Sequence, residues 1–130
     1  MAEDKVISLE NAVIGVDDHI ILEEVNLSVE KSEFVYVIGR VGSGKTSLIK
    51  TINAELPLTE GTGIVSGFQL EKIRRKEVPL LRRKLGIVFQ DFKLLTDRTV
   101  DSNLEFTLRA TGWKNKGEIS DRIAEVLERV

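Results

Sequence analysis

The apolar positions of this chain fall into short runs whose spacing changes from segment to segment. Lys5–Leu9 is rich in β-branched residues and reads as a strand, and Ile20–Leu22 and Val25–Val29 read as further short strands. In the last of these Val25, Leu27 and Val29 alternate with Asn26 and Ser28, the period of a strand with one buried face. A turn at Glu30–Glu33 leads into Phe34–Ile38, which is apolar at every position and predicts a buried parallel strand. The stretch from Ser47 to Leu56 then predicts a helix with Leu48, Ile49 and Ile52 on its apolar stripe. Three glycines among short apolar stretches at 56–70 predict a hairpin. Glu71–Lys84 reads as helical with a break near Pro79, because proline disfavours a helical residue before it. Leu85–Phe89 predicts a second buried strand, and Asp91–Thr99 a loop. Val100–Ala110 predicts a helix ended by Thr111-Gly112, with Trp113 tucked partly beneath the final helix. That helix has the clearest pattern: Ile119, Ile123, Val126, Leu127 and Val130 share one face and charged residues cover the other.

Composition narrows the classes. The chain has 130 residues, 42% hydrophobic and 31% charged, which suits one globular domain or part of one. Its apolar runs fall far short of the roughly 20 residues that a membrane-spanning helix needs. The first residues, MAEDK, are acidic and lead straight into a strand pattern, so no secretory signal is expected. There is no cysteine, which excludes a disulfide scaffold and a cysteine-based metal centre. A single histidine, His19, argues against a histidine-rich metal site or a local catalytic triad. The formal net charge of −2 argues against nucleic acid as a partner. Basic residues do cluster at Lys72, Arg74, Arg75, Lys76, Arg82, Arg83 and Lys84. This segment reads as a solvated face, with a contact to phosphate or anionic lipid as the alternative.

The sharpest chemical signal is Gly39-Arg40-Val41-Gly42-Ser43-Gly44-Lys45-Thr46-Ser47. Its first eight residues match G-x-x-x-x-G-K-[ST], the phosphate loop. Glycines let the backbone wrap closely and take positive φ, so several N–H groups converge on one anion. The loop opens into a helix N-terminus, whose free N–H groups and dipole favour negative charge. Lys45 supplies a cation for the β- and γ-phosphates, and the Thr46 hydroxyl is suited to Mg²⁺. At ordinary residue frequencies a chance match in a chain this long arises about 0.4% of the time. The alternative is a glycine-rich turn with an incidental lysine. The flanking apolar run and apolar helix are the context the motif requires.

With the phosphate loop in place, the chain resembles the ABC ATPase family over nearly all its length. A short β region precedes the loop, LPLTEGTGIVSG resembles the family's small hairpin after the first helix, and LRRKLGIVFQ ends in Gln90 at the Q-loop position. The segment EVPLLRRKLGIVFQDFKLLTDRTVDSNL is similar to the FtsE cell-division subfamily. The resemblance implies an α/β fold: a P-loop NTPase (ABC ATPase) core with an N-terminal antiparallel β subdomain, truncated in the helical subdomain. It implies ATP and Mg²⁺ as ligands, residues 39–47 as the nucleotide cradle, and Thr46 and Gln90 at the metal. Gln90 would support catalysis by reaching the metal and the attacking water. The loop after Gln90, with Phe92, Leu94 and Leu95, would meet an FtsX-like integral membrane protein. The expected location is peripheral, at the cytoplasmic face of the inner (plasma) membrane, with a homodimer in the complete protein.

The resemblance also divides the chain into a β subdomain at 1–33, a phosphate-loop, hairpin and Q-loop region at 34–99, and the start of a helical subdomain at 100–130. Three departures stand out. No aromatic residue precedes Phe34, although the family stacks adenine on one; Ile14–Val16 occupy that region, with His19 as a weaker ring face. Ser32 stands where the family commonly has glycine. The signature motif, the Asp-Glu strand end with its catalytic glutamate, and the switch histidine have no counterpart in these residues. Asp91, which follows the apolar run at 85–89, is a poor match to the strand-end acid because Gln90 intervenes. The chain is therefore expected to be the N-terminal part of a longer domain, weakly nucleotide-binding, with negligible turnover. The functional alternatives are a non-catalytic nucleotide-binding fragment, the ATPase subunit of a lipoprotein- or macrolide-type exporter, and a small kinase, for which no lid or acceptor site is visible.

Overall fold

A computed structural model describes residues 4–130, so the first three residues of the acidic start lie outside the described residues. The chain forms two compact units, one ending at Leu81 and one spanning Arg82–Val130.

The first unit is built on a long hairpin, β1 (Lys5–Val16) and β2 (His19–Glu30). The three short strands expected before Phe34 are thus two long ones. Asp17 and Asp18, both at positive φ, make the turn that the sequence pattern did not resolve. After α1 (Lys45–Ile52) come β3 (Leu58–Val65) and the two-residue β4 (Phe68–Gln69), joined through Ser66-Gly67, so the hairpin expected at 56–70 is present. All four strands form one antiparallel sheet in the order β2-β1-β3-β4. In the central strand β1, Leu9 faces Leu27 on one side and Gly63 on the other, and Ile7 faces Val29 and Val65. The two long strands slip register around residues 9–14, where Asn11 and Glu24 bulge out at positive φ. Asn26 ties both bulges, accepting from the Asn11 N–H at 3.0 Å and donating to the Glu24 carbonyl at 3.1 Å. Leu9, Ala12, Ile14 and Val65 form the buried core of the sheet. Helix α1 packs on β1 with Leu48, Thr51 and Ile52 inward, while Ile49, read from the stripe as apolar-facing, is exposed.

The segment read as a helix broken near Pro79 is a 3₁₀ turn (Arg75–Glu77) running into α2 (Val78–Arg82). Pro79 lies in the first turn of α2 rather than at a break, because there its missing N–H costs no intrahelical bond. The Glu77 carboxylate accepts from the Arg74 N–H at 2.9 Å and from its guanidinium at 3.1 Å. Those two bonds, the backbone one first, hold its pKa below the ordinary 4.5.

The second unit contains α3 (Val100–Ala110) and α4 (Lys116–Arg129), packed on each other. Both follow the sequence expectation closely because each carries its own stop signals. Thr99 caps α3 through its side chain, Asn115 caps α4, and Gly112 ends α3 at φ 99°. Ile119 is buried in the helix pair, whereas Val130 lies beyond the helix and is exposed. Trp113 is half-buried as expected, with the Arg83 guanidinium 5.1 Å above its ring.

Two sequence expectations fail. Phe34–Ile38 and Leu85–Phe89 are not strands. Phe34, Tyr36, Ile38 and Val88 are 79%, 81%, 89% and 89% exposed. A strand needs a hydrogen-bonded neighbour, and among the described residues the one sheet is antiparallel and includes neither run. An apolar sequence specifies burial only when the fold offers a covering layer. Surfaces of this kind drive association. The chain is expected to sediment as oligomers at tens of micromolar, and Tyr36→Lys with Ile38→Lys to shift it towards monomer. A wild-type chain that stays monomeric across that range would contradict this.

Candidate functional site

The phosphate loop lies between β2 and α1 in the first unit. Its path is set by three glycines with separate jobs. Gly42 turns at φ 81° with open space where a side chain would be, so its backbone faces outward. Gly39 leaves room for Ser43, whose Oγ lies 2.6 Å from where a Gly39 Cβ would sit. Gly44 is the N-cap of α1 at φ 104°, and a Cβ there would meet Leu22 at 2.9 Å and Ile21 at 3.0 Å. The loop therefore lies flat on β2 at its junction with the helix. The Ser43 N–H donates to the Arg40 carbonyl at 3.1 Å, closing the turn.

Helix α1 starts at Lys45, and its N-cap makes no side-chain hydrogen bond. No acidic residue occupies its first turn. The start of a helix carries backbone donors without intrahelical partners and the positive end of the dipole. A chain that neither caps these donors nor repels an anion there presents an anion cradle. The Lys45 ammonium folds over the loop, donating to the Gly39 carbonyl and to the Arg40 carbonyl at 3.0 Å. It thus sits beside the backbone that would surround a phosphate. Thr46 is exposed on the first turn, and Arg40 and Val41 are exposed on the outer curve. This donor set, backbone N–H groups with one cation and one hydroxyl, fits a Mg²⁺-bound polyphosphate.

Gly39–Ser47 are thus brought together as one loop. Gln90, the remaining site residue, lies in the second unit, exposed in a turn. Asp91 pairs with Lys93 at 3.1 Å, on the surface. Among the described residues no three His, Cys, Asp or Glu side chains cluster as a metal site. Ile14, in the region where the family's adenine-stacking aromatic is expected, is fully buried in the sheet. His19 is exposed at the hairpin turn, its Nδ1 2.9 Å from the Asp17 carbonyl oxygen. Ser32 takes φ 64°, the conformation for which glycine is favoured. The contribution of Ile21 and Leu22 was not legible in the sequence, since they precede the loop by some twenty residues and only the fold brings them under Gly44.

A phosphate loop backed by an antiparallel hairpin sheet and followed by a second, smaller hairpin defines an ABC-type ATP-binding cassette, a family whose members bind ATP with Mg²⁺. The family described as ABC transporter matches residues 22–130, and the chain belongs to it. Among curated relatives it is 42% identical over 109 residues to the cell division ATP-binding protein FtsE of Streptococcus pneumoniae, covering 84% of this chain and 47% of that protein. It is 41% identical over the same length to the FtsE of Bacillus subtilis, again covering 84% and 47%. It is 37% identical over 116 residues to the methionine import ATP-binding protein MetN of Nocardia farcinica, covering 89% of this chain and 34% of that protein. The chain thus spans about half the length of the FtsE relatives. Among solved structures, a bacterial ABC transporter cassette seen as a dimer matches with a TM-score of 0.75 at 30% identity, covering 94% of this chain and 56% of that one. A cassette described as a dimer in a post-hydrolysis state bound to ADP and Pi matches with a TM-score of 0.74 at 29% identity, covering the same shares.

Proposed function

We propose that this chain is the nucleotide-binding portion of an FtsE-like ATP-binding subunit, which couples ATP binding to a membrane partner in cell division. The observation that carries the reading is the uncapped, acid-free helix start at Gly44–Lys45 beneath a loop closed on itself. Backbone N–H groups of Gly42, Gly44, Lys45 and Thr46 would hold the phosphates, Lys45 would neutralise their charge, and the Thr46 hydroxyl would hold Mg²⁺. When bound, Mg-ATP supplies the phosphoanhydride bond and the charge that its hydrolysis redistributes. These residues bind and orient; none of the 130 is a glutamate directly following aspartate, the pair that the family uses at the attacking water. Phosphoryl transfer rests on positioning and electrostatics together with such a residue, so this chain is expected to bind Mg-ATP without steady turnover.

The second half of the reading is the partner. Among the described residues no helix is long and apolar enough to cross a membrane. Phe92 and Leu94, in the loop after Gln90, are 71% and 67% exposed. Two exposed apolar side chains on this loop suit docking to an FtsX-like membrane protein, with the subunit peripheral on the cytoplasmic face and dimeric in its complete form. The 37% identity to a methionine import protein favours one rival, an ATP-binding subunit serving a transporter. The test is capture of the chain by an FtsX-like protein from the same genome, reconstituted in vesicles. Leu94→Asp is expected to weaken capture at least about tenfold, as loss of one buried apolar anchor would. Undiminished capture of the variant, or none of the wild type, contradicts the partner reading.

A further inference from the structure

The loop after Gln90 takes an uncommon path. Phe92 and Lys93 are consecutive left-handed residues, at φ 60° and 51°, and neither is glycine. Residues with a Cβ adopt this conformation uncommonly. The strongest hold on the loop comes from α3. The carboxamide of Asn103 pairs with both backbone groups of Leu95: it accepts from the Leu95 N–H at 2.8 Å and donates to the Leu95 carbonyl at 3.0 Å. Its other amide hydrogen goes to the Thr99 carbonyl at 2.9 Å, at the cap of α3. The side chain thereby uses an acceptor and both donors at once, as only an amide can. Leu95, between its two fixed groups, is half-buried, while Phe92 and Leu94 point to solvent.

We propose that Asn103 is a positioning residue for the docking loop: by tying the Leu95 backbone to α3, it holds Phe92 and Leu94 outward as one apolar surface that moves together with the helix. The proposal rests on the reading that this loop meets the membrane partner, and it adds how the loop is held and what a displacement of it would reach. Thr99 completes the arrangement, since its side chain caps α3 through the Ser102 N–H at 3.1 Å while its carbonyl receives Asn103. Loop end, helix cap and first helical turn are one hydrogen-bonded block.

Asn103→Leu separates this role from simple support of the helix. Leucine is close to asparagine in size and a better helix former, so α3 is kept or strengthened while all three amide bonds are lost. Hydrogen exchange on the full 130-residue chain is expected to show the Leu95 amide exchanging about tenfold faster or more in Asn103→Leu, with amides at the far end of α3 unchanged within about twofold. Capture by the FtsX-like protein in vesicles is expected to weaken in the same variant. An unchanged Leu95 exchange rate overturns the proposal whatever capture does. A faster rate with undiminished capture also overturns it, provided that Leu94→Asp does weaken capture. If Leu94→Asp leaves capture intact, it is the docking reading that fails, and the exchange result alone then decides whether Asn103 holds the loop.

Discussion

Replacing Lys45 by alanine is expected to remove the stabilisation that Mg-ATP gives this chain while leaving the melt without nucleotide almost unchanged. A ligand at 100 times its dissociation constant adds about 2.7 kcal/mol. In a chain of this size that raises the melting midpoint by roughly 8–15 °C. The Lys45 ammonium folds over the loop and lies against the Gly39 and Arg40 carbonyls. Without it the phosphates would face those carbonyls, and the backbone donors alone would have to offset several negative charges. The side chain is half-exposed, and its hydrogen bonds go to two carbonyls of the exposed loop. Its loss should therefore cost the unliganded chain no more than about 1 kcal/mol, the worth of ordinary exposed hydrogen bonds. Equal Mg-ATP shifts in wild type and Lys45→Ala would mean that nucleotide is bound elsewhere.

The largest effect on stability is expected from Leu9→Ala. Leu9 is 1% exposed and lies at the centre of β1, between Leu27 on β2 and Gly63 on β3. Gly63 is itself buried, and a Cβ there would lie 2.8 Å from Leu9 Cδ2 and 3.1 Å from Leu70 Cδ1. The leucine thus fills the space that the glycine leaves. Truncating it opens a cavity that the two neighbouring strands cannot close without breaking register. Such changes cost about 2–5 kcal/mol, or a midpoint lower by at least roughly 6 °C. Because β2 backs Gly44 through Ile21 and Leu22, the same variant should lose nucleotide binding as its sheet melts. A midpoint within about 2 °C of wild type would show that the sheet is not the core of the first unit.

How much could be read from the chain differed by kind of signal. The turn at Gly42–Gly44 and the helix start at Lys45 were legible because their signals are local: the glycines and the lysine stand beside one another in the chain. Helices α3 and α4 were legible for a similar reason, since Thr99, Gly112 and Asn115 mark their ends and the apolar stripe of α4 has a clear period. The long β1–β2 hairpin was legible only in pieces. Its bulges at Asn11 and Glu24 break the two-residue alternation, so one strand read as two. The failures at Phe34–Ile38 and Leu85–Phe89 are instructive. Apolar content reports what a segment would bury, but pairing depends on strands elsewhere in the fold, and these runs have none among the described residues. Two contributions escaped the sequence because they are long-range: the support that Ile21 and Leu22 give to Gly44, and the hold of Asn103 on Leu95. Nothing in a lone asparagine one turn into a helix marks it as a clamp on a loop eight residues earlier.

Residues 39–47 are proposed to form a phosphate cradle. Backbone amide signals followed by NMR during a titration with Mg-ATP test it most directly. The amides of Gly42, Gly44, Lys45 and Thr46 are predicted to shift together and saturate, with α4 unaffected and no response in Lys45→Ala. Signals at 39–47 that stay fixed, or shifts confined to the basic segment at Lys72–Lys84, would show that the phosphates are not bound by this loop.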